Sequence, residues 1–176
     1  MAFWVTLLAY ELVWFAAVIG AGHGLASPGV IAGGLFAAWR LTASPDPRAE
    51  LGLVAATVLL ALALEGAWVA GGLIVYSAPW PLPSAPAWLM ALWVAFALTL
   101  IPLCKYLHGR PALAALLGAV GGPLAYLGAA RAHALQLTNP VWRGVLALSA
   151  GWAIAMPALT SLAGRWLRAR VGEELR

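Results

Sequence analysis

Charge is the scarcest property of this chain. Of its 176 residues only 9% are Asp, Glu, Lys or Arg, where a soluble domain carries about 25%. A water-facing surface needs those groups, and there are too few here to cover one. Cysteine is nearly absent too: Cys104 stands alone, which excludes an intramolecular disulfide and any cysteine-built metal site. The histidines are His23, His108 and His133, and no two share a helical face at i, i+3 or i+4. With no H-x-x-x-H or H-E-x-x-H box, a di-iron desaturase and a metzincin-type zinc site have no ligands. His23 and His133 with a glutamate stay geometrically open, but interfacial anchoring is the default reading, and no metal or cofactor is expected. A P-loop, a G-x-G-x-x-G turn after a strand and an ordered Ser-His-Asp set are likewise missing. Soluble-type catalysis has no foothold.

What fills the chain is hydrocarbon. Hydrophobic residues make up 64% and the mean hydropathy is +0.91. Apolar runs of roughly 18 residues or more recur along the length, the mark of membrane-spanning helices. Lipid cannot satisfy open backbone groups, so helices are expected rather than sheets, and the weak alternation argues against a barrel. The fold class predicted is all-α: a polytopic membrane protein with six transmembrane helices in one integral membrane domain, residues 1–176. The first run has no basic segment before it and continues into the body of the chain, so it reads as a retained helix rather than a signal peptide.

The spans fall at about Phe3–Gly22, Leu25–Trp39, Leu51–Tyr76, Ala87–Tyr106, Ala112–Leu135 and Val141–Leu167. Between them, Pro45-Asp46-Pro47 and Thr138-Asn139-Pro140 mark turns, and the proline-rich stretch 77–86 reads as a stiff extended segment. All ten Lys and Arg lie at or near run ends, which points to topology and anionic headgroups rather than nucleic acid. With the N-terminus inside, Arg40, Arg48, Lys105, Arg110, Arg165, Arg168, Arg170 and Arg176 are cytoplasmic, against Arg131 and Arg143 outside. Both termini are therefore expected in the cytoplasm. Trp4, Trp39 and Trp166 then form one aromatic belt, and Trp80, Trp88 and Trp142 the other.

Gly29–Arg40 (GVIAGGLFAAWR) weakly repeats Gly118–Arg131 (GAVGGPLAYLGAAR). The echo suggests two inverted three-helix halves, 1–77 and 87–170, as in many transporters. In the second copy Gly121, Gly122 and Pro123 are expected to break the helix near mid-bilayer, freeing backbone groups for a ligand. Close helix packing through Gly118 and Gly122, with a kink as by-product, is the favoured reading of the two.

Two acids fall near the midplane, Glu11 and Glu65. A charge there costs at least ~2.5–3.5 kcal/mol, so each should be neutral, paired or in a watered cavity. No Lys or Arg is expected at that depth. Hydrogen bonds to Tyr10, Tyr126, Thr57, Thr99 or Ser149 are the better partners. Each acid then reads either as a proton carrier or as a neutral lock between helices. Arg131, at the end of its helix, snorkels to headgroups or clamps a carboxylate. The intramembrane tryptophans Trp14, Trp68, Trp93 and Trp152 either wall an apolar ligand site or fill space among small residues. The candidate ligand-binding set is Glu11, Trp14, Glu65, Gly121, Gly122, Pro123, Tyr126 and Arg131.

Four segments taken together, Glu11–Gly22 (ELVWFAAVIGAG), Glu65–Tyr76 (EGAWVAGGLIVY), Trp88–Leu100 (WLMALWVAFALTL) and Gly118–Tyr126 (GAVGGPLAY), resemble a small bacterial membrane family, domain of unknown function 2878. The resemblance implies a bacterial inner-membrane protein without an established activity. It also implies a place beside lipid-modifying enzymes of the cyclopropane fatty acid synthase type, whose genes often neighbour those of the family. The family pattern has a polar TLNHSL-like stretch where this chain reads Thr99–Cys104 (TLIPLC). The function expected is binding of a lipid or other small hydrophobic ligand, as an accessory to membrane lipid modification. Its partners would be membrane lipids and a lipid-modifying enzyme. A small proton-coupled transporter using a midplane glutamate is the alternative.

Overall fold

The computed structural model describes residues 2–174, in helices that run to and fro between two ends. They are α1 (Ala2–Gly22), α2 (Ser27–Thr42), α3 (Pro47–Ala70), α4 (Ala87–Ala97), α5 (Leu100–Leu103), α6 (Pro111–Arg131) and α7 (Val141–Glu174). Arg176 lies outside the described residues, as do the side chains of Arg168 and Arg170. Four segments are long and apolar enough to cross a membrane: Phe3–Gly22, Pro47–Ala70, Pro111–Arg131 and Val141–Leu167. They are what a multi-pass membrane protein requires. α2 and α4, of 16 and 11 residues, fall short of the ~20 that a crossing normally needs. Outward positions are apolar as well, with Leu12, Leu59 and Ile154 each about 70% exposed.

Several helices stop earlier than their hydrophobicity suggests. α3 ends at Ala70 because Gly72 takes a left-handed turn (φ 66°). The N–H of Leu73 then reaches back to the Trp68 carbonyl at 2.9 Å, a Schellman closure. α6 ends the same way: His133 is left-handed (φ 60°) and Ala134 reaches back to Ala129 at 3.0 Å. Ile74–Tyr76 and Leu135, expected to finish these helices, fall instead in the strands β1 (Ile74–Tyr76) and β4 (Leu135–Leu137), paired antiparallel. The segment 77–86, expected to be merely extended, carries the two-residue strands β2 (Pro81–Leu82) and β3 (Ala85–Pro86), which pair with each other. The span expected over Ala87–Tyr106 is interrupted after Ala97. The Thr99 hydroxyl donates to the Phe96 carbonyl at 2.6 Å, and Pro102 offers no N–H to Leu98.

The paired strands carry a local two-fold relation. Ser77 donates its hydroxyl to the His133 carbonyl at 2.7 Å, and Thr138 donates to Gly72 at 2.6 Å. The N–H groups of the same two residues bond Ala134 and Leu73 at 2.9 and 3.0 Å. Around the strands the residues of α3–β1 are matched 61 positions on in α6–β4, Gly72 by His133, Leu73 by Ala134 and Ser77 by Thr138. Both helices reach the strands from the same side, so this repeat runs in parallel. It lends nothing to the inverted halves expected from the glycine echo.

Small residues set the helix contacts. A Cβ on Gly118 would overlap the Trp152 carbonyl, and one on Gly122 would overlap the Trp152 indole, so α6 and α7 touch almost backbone to backbone. The same logic joins α2 to its neighbours, where a Cβ on Gly29 would stand 2.8 Å from Ala17 and one on Gly33 2.9 Å from Ala91. At the end away from the strands, Arg40 of α2 and Glu50 of α3 form an ion pair at 3.3 Å, with both side chains largely buried.

Candidate functional site

The buried positions of α3 are Glu50, Leu53, Thr57, Ala61, Glu65 and Trp68. A spacing of three and four puts them on one stripe, which delivers Glu65 to the middle of the bundle with no exposed surface. Three donors from three other elements converge on its carboxyl group. Oε1 accepts from the Trp93 indole of α4 at 2.9 Å and from the Tyr126 hydroxyl of α6. Oε2 accepts from the Tyr76 hydroxyl of β1. Glu65 thereby ties α3, α4, α6 and β1 together. Among the sequence-based partners only Tyr126 reaches it. Thr57 and Thr99 spend their hydroxyls on the Leu53 and Phe96 carbonyls, and Tyr10 packs edge-on to Phe36.

Immediately in front of this cluster lies a cleft of about 240 Å³. Its walls are aromatic: Tyr10 and Trp14 of α1, Trp88, Trp93 and Phe96 of α4, Tyr126 of α6 and Trp152 of α7. Trp93 and Trp152 stack face to face, with centroids 4.7 Å apart and planes within 5°. Phe96 meets the Trp152 ring edge-on at 5.5 Å, and Trp68 backs Tyr126 edge-on at 5.8 Å. Trp93 and Tyr126 therefore do two jobs, facing the cleft and holding Glu65 behind it. The outer edge of the cleft is the exposed row Leu117, Gly121 and Ala125 on α6.

α1 and α6 flank this opening and close together at the strand end. A Cβ on Gly22 would overlap the Ala132 carbonyl, and the Trp14 indole comes 3.5 Å from where a Gly128 Cβ would stand. Away from that end, the cleft opens sideways between the two helices.

The sequence-based candidates divide on this geometry. Trp14, Gly121, Gly122 and Tyr126 line the cleft, and Glu65 sits one hydrogen bond behind it. Glu11 does not join Glu65 at the centre but is exposed on α1. The helix is apolar all round, so its sequence carries no stripe to say which face turns inward. Pro123 is buried but off the cleft wall, and Arg131 is exposed as the last residue of α6. The helix break expected at Gly121-Gly122-Pro123 is absent: α6 is continuous from Pro111 to Arg131. One missing N–H does not unwind a helix whose glycines are clamped against α7. Trp88, expected in an aromatic belt, is buried, and its indole donates to the Ser77 carbonyl at 3.0 Å. Sequence reasoning missed Tyr76 as a partner of Glu65, and it did not single out Trp93 for that role.

The sequence family described as "Protein of unknown function (DUF2878)" matches residues 3–158. The chain belongs to the DUF2878 family. No curated protein and no solved structure matches it. The DUF2878 match takes in every residue that lines the cleft, from Tyr10 to Met156, and all of the Glu65 cluster. The DUF2878 description supplies no activity.

Proposed function

We propose that this protein holds a small apolar ligand of lipid origin in the cleft, entered sideways from the bilayer, as an accessory to membrane lipid modification in a bacterial inner membrane. The observation that carries the reading is the wall itself. Seven aromatic rings surround a space whose outer edge is made of exposed apolar residues of α6. Such a site offers dispersion and apolar burial, with few polar groups to fix orientation. The proton-carrying alternative needs Glu65 to exchange protons with water. Its two oxygens are held by three donors, and the side chain is fully buried, so ligand binding is the better-supported reading.

Native mass spectrometry of the protein released from lipid nanodiscs tests it. The expected spectrum carries an added acyl-chain mass that Gly121→Leu removes. A Cβ at Gly121 meets nothing within 4 Å, so this variant fills the cleft mouth without disturbing the helix contacts. An adduct that persists in Gly121→Leu, or none in the wild type, contradicts the reading.

The same proposal includes six crossings, with α2 and α4–α5 as the short ones and both ends cytoplasmic. Arg40, Arg48, Lys105, Arg110 and Arg165 then lie at the cytoplasmic side and Arg131 and Arg143 at the strand side, the bias that orients membrane helices. In a Cys104→Ala background, a membrane-impermeant thiol reagent applied to intact cells should modify a cysteine placed at Gln136 and spare one at Arg48. The reverse pattern would turn the protein over.

A further inference from the structure

α1 and α6 run in the same direction, since their C-terminal ends meet at Gly22 and Ala132. Glu11 stands eleven residues before Gly22, and Gly121 eleven before Ala132. At 1.5 Å per residue both lie about 16 Å below that contact, at matching depth. Around α1, successive residues turn by about 100°. Taking Tyr10 as zero, Trp14 falls at about 40°, Val18 at about 80° and Glu11 at about 100°. Tyr10, Trp14 and Val18 all line the cleft. Glu11 thus continues the lining face outward to the rim, across the opening from Gly121, and it is exposed. No hydrogen bond or ion pair engages its carboxyl group among the described residues. Inside the cleft Tyr126 and Trp93 both donate to Glu65, and the buried Trp152 indole N–H, without a partner among the described residues, is a donor and not an acceptor. A ligand whose polar end needs an acceptor finds one at the mouth.

We propose that Glu11 is the polar anchor of the cleft, accepting a hydrogen bond from the hydroxyl or ammonium head of a single-chain amphiphile whose tail lies against the aromatic walls. This rests on the ligand reading above and adds the class of head. Size agrees with one chain rather than two. At 240 Å³ the space is smaller than the roughly 300–1,000 Å³ of a drug-sized ligand pocket, which suits the tail of a medium-chain amphiphile. Hydrogen bonding sets the selectivity: an oxygen of the Glu11 carboxyl group accepts from a hydroxyl or ammonium head, whereas a carboxylate head has no proton to give it.

Photoreactive ten-carbon probes bearing a diazirine in the chain test this, with an alcohol, an ammonium or a carboxylate head, applied to the full chain in nanodiscs. Labelling is read on peptides spanning Tyr10–Val18 and Leu117–Tyr126, relative to the outward positions Leu59 and Leu62 of α3. The wild type should take the alcohol or the ammonium probe about fivefold more than the carboxylate, the size of one net hydrogen bond. Glu11→Ala should bring all three probes to one level while keeping the tail in place, and Gly121→Leu should remove cleft labelling by all of them. If the wild type labels the cleft equally with every head, or if Glu11→Ala keeps the preference, the anchor is wrong and the cavity reading survives. Absence of preferential cleft labelling by any probe defeats both. A fall in particle mass on Glu11→Ala with head preference unchanged would assign the acid to a protein interface instead.

Discussion

Replacing Glu65 by alanine should lower the apparent unfolding temperature by at least about 5 °C. The substitution removes the acceptor shared by Tyr76, Tyr126 and Trp93 and leaves three donors facing a hole. A single interhelical hydrogen bond in a membrane protein is worth only ~0.6 kcal/mol on average, because the unfolded chain finds other partners in the bilayer. Three such bonds give about 2 kcal/mol. Stranding buried donors costs about 1–3 kcal/mol each, so the loss extends to several kcal/mol. For a chain of this length each kcal/mol moves the midpoint by about 2–4 °C. Glu65→Gln keeps one acceptor oxygen and should fall between wild type and Glu65→Ala. Tryptophan fluorescence or circular dichroism during heating reads the order directly. Equal midpoints for the three proteins would show that the cluster holds nothing together.

A second large effect is expected at glycines only three residues apart, with opposite signs. At Gly118 a methyl group runs into the backbone carbonyl of Trp152 and the side chain of Met156. A carbonyl in the middle of α7 cannot swing aside, so Gly118→Ala has to push α6 and α7 apart. Overpacking of that kind costs about 1–3 kcal/mol, and Gly118→Leu should prevent assembly. At Gly121 the methyl group meets open space. There alanine only gains helix propensity, up to about 1 kcal/mol over glycine. Midpoints of the two alanine variants should straddle the wild type, and a pair displaced the same way would mean that α6 does not pack on α7 through Gly118.

The contrast between these positions also shows what could be read in advance. Hydropathy placed the long helices but overran the ends of α3, at Ala70, and α6, at Arg131, because length and apolarity are local properties of the chain. It did not tell inside from outside, because helices apolar on every face have no stripe to follow. Glu11 and Glu65 look alike on that basis, yet one is exposed on α1 and the other is buried behind a wall. Small residues carried more information: Gly118 and Gly122 suggested close packing, and they do meet Trp152.

The strand pair was hidden for a different reason. Gly71-Gly72 is a recognisable stop, but its counterpart at His133 uses a non-glycine residue in the left-handed region and gives no such signal. The apolar run places Tyr76 at the end of a helix, where it does not turn back to Glu65. Trp93 comes from a helix 28 residues further on, and only the packed bundle brings it back to the acid.

The central claim is that the space between α1 and α6 is a seat for an apolar chain, braced from behind by Glu65. A density map of the protein embedded in lipid tests it most directly. The account predicts an elongated density running from the rim at Glu11 and Gly121 inward between Tyr10, Trp14 and Trp152. A map with the cleft collapsed, Trp152 packed onto α1 and no room between them, would contradict it.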